Sequence, residues 1–452
     1  MSIDAGSRRA ALWLGVALAI FFLYFFGLTR TGLIGPDEAR YAAIGRAMAA
    51  TGDWVTPRLW GSAWFEKPAL LYWMTAAGFK LGLGTELAPR LPVALASVSF
   101  LIYFFFVLRR EFGERTAWYA AAILATSAGW LAYSHIAITD LPMSAAFAAA
   151  MLEIMPDDSE PRTSVSGFVR SGVLLGIAVL AKGLVPLVLF IPAVSFLWRR
   201  WRDLAILFVA AAIVAAPWYV LVSARNPTFV NEFIWKHHFG RFLNSALQHG
   251  QPIWFYIPVV LAGLFPWTPA LFLLAQRRVY QDRRALFLLS WFAWGFLFFS
   301  VSKNKLPGYL LPLLPALAVL MGVALDRSSH ARYWLAACGA LFCLAPPLVQ
   351  ALPQALANGL SHTPVHFGLP AVAAGLALAA MCLAGRPERG VAGLALFATI
   401  TVVWIVLRVY PELDRQLSGR NASASITCLP QTNRSQRYSL DYYAGRDLPD
   451  CK

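Results

Sequence analysis

The chain has 452 residues, of which 59% are apolar and only 13% charged, and its formal net charge is +15. A soluble domain carries about 25% charged residues, so a water-soluble globular enzyme is excluded and a polytopic membrane protein is indicated. The positive charge is no nucleic-acid footprint, because no basic stretch accompanies a nucleic-acid-binding motif.

Runs of about 17–25 apolar residues mark helices that cross a bilayer. Thirteen are predicted, near 10–28, 88–108, 115–134, 138–155, 167–181, 183–199, 203–223, 253–275, 284–300, 307–325, 332–349, 366–384 and 389–408. The first follows Arg8 and Arg9 without a small-residue cleavage site, so an uncleaved first helix is expected. Lysine and arginine close to a span resist translocation. One alternating set of loops holds Arg109, Arg110, Arg115, Arg170, Arg200, Arg277, Arg284, Arg327 and Arg386 and is read as cytoplasmic, with the N-terminus. The other set is read as periplasmic: the 29–87 loop, the 224–252 loop, "SKNKLPGY" and a short tail, 409–452. The expectation is an all-α integral membrane domain over 1–408, with about thirteen transmembrane helices, a surface helix in its first outer loop and a small outer tail.

That first loop opens on adjacent carboxylates, Asp37 and Glu38. "DEARYAAIGRAMAATG" reads as a helix, with alanines favouring it, Pro36 suited to a first turn and Gly52 beyond its end. Two first-turn acids stabilise a helix start, which suffices for Glu38, while Asp37 shares a face with Arg40 at i,i+3. Trp54, Trp60, Trp64, Tyr72 and Trp73 suit the water–lipid interface. Glu66 and Lys67, in "WFEKP", lie where ionisable groups are costly and serve a purpose. A lysine at headgroup depth suits a phosphate, with snorkelling as its alternative.

Three later outer stretches are also polar. "AYSHIAITDLP" carries Asp140, for which a plain N-cap is the alternative. "FIWKHHFGRF" carries Lys236, His237, His238 and Arg241, and "SKNKLPGYLLP" carries Lys303, Lys305 and Tyr309. By this topology all reach one leaflet, so carboxylates, cations and aromatics are expected to converge on a membrane-embedded cavity. Cys338, Cys343 and Cys382 fall in spans. Cys428 and Cys451 fall in the tail, where an oxidising compartment lets them pair and staple a segment too small for a core of its own.

Such a set suits sugar transfer from a polyprenyl phosphate. Cations hold the departing phosphate, a carboxylate stands by the anomeric carbon or the acceptor, and a hydrophobic groove holds the prenyl chain. A transporter would more often show two matching halves with interrupted helices, and the sequence shows no such pairing.

The stretch "DEARYAAIGRAMAATGDWVTPRLWGSAWFEKPALLYWMTA", with "ITDLP", "HHFGRF" and "SKNKLPGYLLPLLPALAVL", resembles the bacterial GT-C glycosyltransferases related to the lipid A aminoarabinose transferase and the protein mannosyltransferases. The resemblance runs loosely from residue 10 to about 325. It implies an inner-membrane enzyme that uses an undecaprenyl-phosphate-linked sugar on the periplasmic side, with inversion, and an acceptor that is lipid A or another envelope glycolipid; protein Ser/Thr is the runner-up. It also implies that Asp37 is the essential first-loop acid, with Arg40 and Tyr41 as its neighbours, and that Asp140 is a second acid. Lys67, Arg241 and Arg40 would contact the donor phosphate, and Tyr41, Glu66, His238, Lys305 and Tyr309 would line the substrate site. Trp64 departs from a tyrosine, Lys236 from a histidine, and the tail is short beside those of the aminoarabinose enzymes. Glu66 with His238 offers a divalent metal only two protein ligands, fewer than the three or four of a zinc site, so no essential metal or other cofactor is expected. If the acceptor is a lipid phosphate, Asp37 positions the sugar or stabilises charge at C1; if it is a hydroxyl, Asp37 is its base.

Overall fold

The computed structural model describes residues 5–156, 164–233, 235, 251–344, 369–421, 426–429 and 434–451. Its helices are α1 (Ala5–Tyr24), α2 (Glu38–Thr51), α3 (Leu70–Lys80), α4 (Gly84–Phe112), α5 (Glu114–Thr126), α6 (Ala128–Ser134), α7 (Asp140–Glu153), α8 (Val165–Lys182), α9 (Val185–Leu189), α10 (Ile191–Leu197) and α11 (Trp201–Arg225). There follow α12 (Tyr256–Gly263), α13 (Arg283–Val301), α14 (Leu314–Arg327), α15 (Ala331–Leu341), α16 (Leu369–Ala384), α17 (Pro387–Arg408), α18 (Tyr410–Leu417) and α19 (Arg434–Ala444). Among the described residues the only sheet is a hairpin of two-residue strands, Arg58–Leu59 with Ser62–Ala63.

Every predicted apolar run contains helix, but hydrophobic length is not helical continuity. Six helical stretches among the described residues are long and apolar enough to cross a membrane, and a seventh, Ile253–Gly263 with Thr268–Ala275, is bent by 112°. The run at 115–134 breaks at the extended backbone of Ser127, between α5 and α6, and the run at 183–199 breaks at Phe190, between α9 and α10. The runs at 332–349 and 366–384 lie partly outside the described residues.

The interior is built around α7 and α14, whose residues are almost all buried. Their small side chains let neighbours approach closely; a Cβ on Gly322 would sit 3.0 Å from Ala120 of α5. At one end of the bundle the loops read as cytoplasmic pair with one another: Arg115 with Glu388 at 2.6 Å, Arg284 with Glu111 at 3.6 Å, and Arg170 with Glu153 at 2.8 Å.

The other end holds the first loop. Its helix α2 forms as the alanine run and Gly52 predict, with Gly52 closing it at φ 73°. The end of α11 seals this loop: Trp218 Nε1 donates to the Val55 carbonyl at 3.0 Å and Asn226 to Thr56 Oγ1 at 3.0 Å. The tail docks on its other side. Arg46 donates to the Tyr442 carbonyl at 2.7 Å and lies over the Tyr442 ring, and Ser439 Oγ donates to the Leu33 carbonyl at 2.7 Å. Tyr442 reaches the Thr85 carbonyl at 2.7 Å, and Asp414 accepts from the Gly32 N–H at 2.6 Å. Cys428 and Cys451 are joined, as expected, with Cα atoms 4.9 Å apart.

Candidate active site

Asp37 and Glu38 part company at the start of α2. Asp37 stands at the N-cap but makes no side-chain cap hydrogen bond. Its carboxylate, 42% exposed, turns instead to Arg40 Nη2 at 2.5 Å. Glu38 turns inward and is completely buried: Arg90 donates Nε to Oε1 at 2.7 Å and Nη2 to Oε2 at 2.8 Å. Two backbone N–H groups, of Ile34 at 3.1 Å and Ala137 at 2.9 Å, complete its shell. Arg90 also donates to the carbonyls of Leu28, Thr31 and Gly32. The expectation that Glu38 is a first-turn helix stabiliser is therefore too weak: this carboxylate ties α2, α4 and the loop before α7 together.

Arg40 is 1% exposed and bridges two acids, with Nη2 also 2.9 Å from Glu66 Oε2. The other Glu66 oxygen is 3.8 Å from Lys67 Nζ. Acid and base thus alternate from Asp37 through Arg40 and Glu66 to Lys67. The guanidinium lies over three rings, Tyr41 at 5.3 Å, Trp64 at 5.1 Å and Tyr438 of the tail at 5.2 Å. Burial works against its charge, but Tyr41, Glu66 and Asp37 more than offset that and raise its pKa. Tyr41 and Tyr72 pack edge to face at 5.8 Å. Burial, reinforced by the negative charges of Asp37 and Glu66, pushes both phenols well above their usual value, so they stand here as neutral hydroxyls.

A second cluster adjoins the first through the Ala137–Glu38 bond. Asp140, at the start of α7, accepts from Lys182 Nζ at 2.7 Å, and both side chains are largely buried. Lys182 also lies over the Tyr309 ring at 4.6 Å. Gly308 is needed here, because a Cβ would come within 2.6 Å of both Asp140 and Tyr133. Tyr133 and Asp140 therefore meet at this glycine. Asp140 is thus an ion-paired side chain and not a simple helix cap.

Lys305 donates to the carbonyls of Ser302 at 2.5 Å and Gln251 at 3.1 Å and so fixes the "SKNKLPGY" turn. Arg241 and His238 lie outside the described residues. No group of three or more His, Cys, Asp or Glu side chains suited to a metal occurs among the described residues. Glu66 meets a cation with each oxygen, Arg40 at 2.9 Å and Lys67 at 3.8 Å, and so anchors both. Sequence reasoning missed Arg90 and Lys182. Both are lone basic residues at the outer ends of apolar runs, and that position was the available signal.

Residues 66–229 match the family described as dolichyl-phosphate-mannose-protein mannosyltransferase. The undecaprenyl phosphate-alpha-4-amino-4-deoxy-L-arabinose arabinosyl transferase of Aeromonas salmonicida is 34% identical over 362 residues, covering 74% of this chain and 66% of its own length. That of Pseudomonas aeruginosa strain UCBPP-PA14 is 33% identical over 335 residues, covering 71% and 60%. The chain thus spans about two thirds or less of these curated relatives. The crystal structure of ArnT from Cupriavidus metallidurans bound to undecaprenyl phosphate superposes with a TM-score of 0.79 at 28% identity, over 98% of this chain and 86% of that one. An oligosaccharyltransferase from Archaeoglobus fulgidus shares the fold, with a TM-score of 0.51 at 14% identity, over 97% and 64%. The motifs of the first outer loop, the arrangement of the helices and these likenesses agree, and the chain belongs to the GT-C glycosyltransferases, beside the aminoarabinose transferases and the protein mannosyltransferases.

Proposed function

We propose that the protein is an inverting glycosyltransferase that moves a sugar from a polyprenyl phosphate, undecaprenyl phosphate in bacteria, to lipid A or another envelope glycolipid. The observation that carries this reading is the alternating row Asp37–Arg40–Glu66–Lys67, which ends at one side in a half-exposed carboxylate and at the other in an ammonium. Lys67, with Arg241, binds the donor phosphate and stabilises the charge that grows on it as the C1–O bond breaks. Asp37 stands at the opposite end, where it orients the acceptor or the sugar as the acceptor attacks C1 from the face away from the phosphate. Asp140, held by Lys182, and the hydroxyls of Tyr41 and Tyr309 offer hydrogen bonds to the sugar. No metal is required, since the charge is handled by side-chain cations.

The chain crosses the bacterial inner membrane thirteen times in this reading, with the N-terminus cytoplasmic and the site and tail periplasmic. Alternation of basic loops supports that orientation. The purified protein, incubated with a polyprenyl-phosphate sugar and acceptor lipid, is expected to release free polyprenyl phosphate, with or without EDTA. The 4-amino-4-deoxy-L-arabinose donor in the relatives' names is the first to try. A deletion strain whose lipid A and surface glycans give unchanged mass spectra would refute the envelope acceptor. Transfer to protein Ser/Thr is the second reading, favoured by the match to the mannosyltransferase family.

A further inference from the structure

The C-terminal tail contributes a side chain to the site that neither the motifs nor the comparisons point to. Tyr438 sits in α19, half-buried, with Arg40 5.2 Å from the centre of its ring and the exposed Arg434 5.7 Å from it. We propose that Tyr438 is a positioning residue: its ring completes an aromatic cage that sets the plane of the Arg40 guanidinium and, through it, the direction of the Asp37 carboxylate.

The hydrogen bonds alone do not fix that plane. Both acids meet the same nitrogen, Nη2, while Nε and Nη1 are buried with no hydrogen-bond partner among the described residues. A guanidinium held through one nitrogen can pivot about it. The remaining contacts are the faces of Tyr41, Trp64 and Tyr438. Ring faces attract a cation within about 6 Å, and the attraction strengthens when water is excluded. Two of these rings come from the first loop itself, so they move with it. Tyr438 is the one that comes from outside the loop, on a helix docked against it: Ser439 on Leu33, Tyr442 on Thr85 and Arg46, and Tyr443, whose hydroxyl donates to Glu86 at 3.0 Å and accepts from the Leu33 N–H at 2.9 Å. The tail is therefore a wall of the site.

This inference rests on the proposed transferase activity, and the test separates the two. Tyr438→Phe keeps the ring, and Tyr438→Leu keeps apolar bulk without a π face. The Leu variant is expected to lose about tenfold in kcat with the donor KM little changed, while the Phe variant stays within about twofold of the parent. A structural role filled by apolar bulk would spare both variants. Parental kcat in the Leu variant, or an equal loss in Phe and Leu, overturns the inference while leaving the transferase reading intact. A parent that turns over no polyprenyl-phosphate sugar overturns the transferase reading instead. The cage is then read without turnover, by labelling Arg40 with phenylglyoxal and mapping the peptides by mass spectrometry. Arg40 should be protected in the parent and in Tyr438→Phe but labelled in Tyr438→Ala. Equal labelling in all three overturns the inference.

Discussion

Glu38→Gln and Asp37→Asn make the same chemical change one residue apart and should fail in opposite ways. Glu38 has no exposed side-chain surface and receives four hydrogen bonds, two of them from a guanidinium 3% exposed. A glutamine there offers one oxygen and one NH2 where two oxygens are needed, so a donor faces a donor and Arg90 keeps its charge in a dry site. Removing one partner of a buried ion pair costs about 3–5 kcal/mol. The variant should therefore reach the membrane in reduced amount and melt several degrees lower in detergent, by tryptophan fluorescence. Asp37 is 42% exposed and caps no backbone N–H, and an asparagine can still accept from Arg40. Its stability cost should be a few tenths of a kcal/mol, whereas activity should fall about a hundredfold or more. A Glu38→Gln protein that melts with the parent would refute the anchoring role. An Asp37→Asn enzyme that turns over like the parent would return Asp37 to a helix start.

Lys67→Ala should lower activity at least about tenfold, because it leaves the phosphate short of a charge-assisted bond worth about 1–3 kcal/mol; full activity at normal expression would remove Lys67 from the site. Lys182→Met should leave Asp140 buried without its cation and lower both melting temperature and turnover, and Asp140→Asn in the same chain should recover part of the stability. Reduction, or Cys428→Ser with Cys451→Ser, should cost the tail about 3 kcal/mol for a closed loop of this length, seen as earlier proteolysis of the tail. Burial, partly countered by the Leu448 N–H, raises the Asp441 carboxyl above its usual value. Its ionised form is thus penalised in the folded tail, and that penalty is relieved as pH falls through the raised pKa. Asp441→Asn should gain in melting temperature relative to the parent at neutral pH and lose that advantage as the parent's carboxyl takes up its proton on acidification. Reporter fusions after residues 250 and 280 should give opposite signals, and equal signals would refute the orientation.

The sequence reads best where one residue meets water or lipid on a repeating pattern. Helix α2 was legible because alanines, Asp37–Arg40 spacing and Gly52 all describe one short segment. The tail disulfide was legible from compartment and hydrophilicity. Span continuity was not read, because hydropathy does not register the breaks: beyond Ser127 the Ala128 N–H donates to the Phe265 carbonyl, and beyond Phe190 a new helix starts with Pro192 in its first turn. Nor was the burial of Glu38 against Arg90. Asp37 and Glu38 are both first-turn acids on paper, and only the position of Arg90, 52 residues on, decides which one is buried. Asp140 was found for its place in an outer loop, but its partner lies 42 residues away at the end of another helix.

The order in which a chain is synthesised gives the docked tail a meaning in time. The Glu38–Arg90 contact joins residues 52 apart and can form once α4 has emerged, and the Ala137–Glu38 bond, 99 apart, soon after. The Ser439–Leu33 contact joins residues 406 apart. For a flexible chain, closing the longer loop costs about 2 kcal/mol more than closing the 52-residue one, and here every intervening helix must also be inserted first. A nascent protein therefore carries its carboxylate row, already anchored by Glu38, through most of its biogenesis without the ring from α19. Chains that stall or are clipped before that helix would hold the first loop in place yet leave Arg40 without one side of its cage, so the tail's arrival marks the moment at which the site is complete.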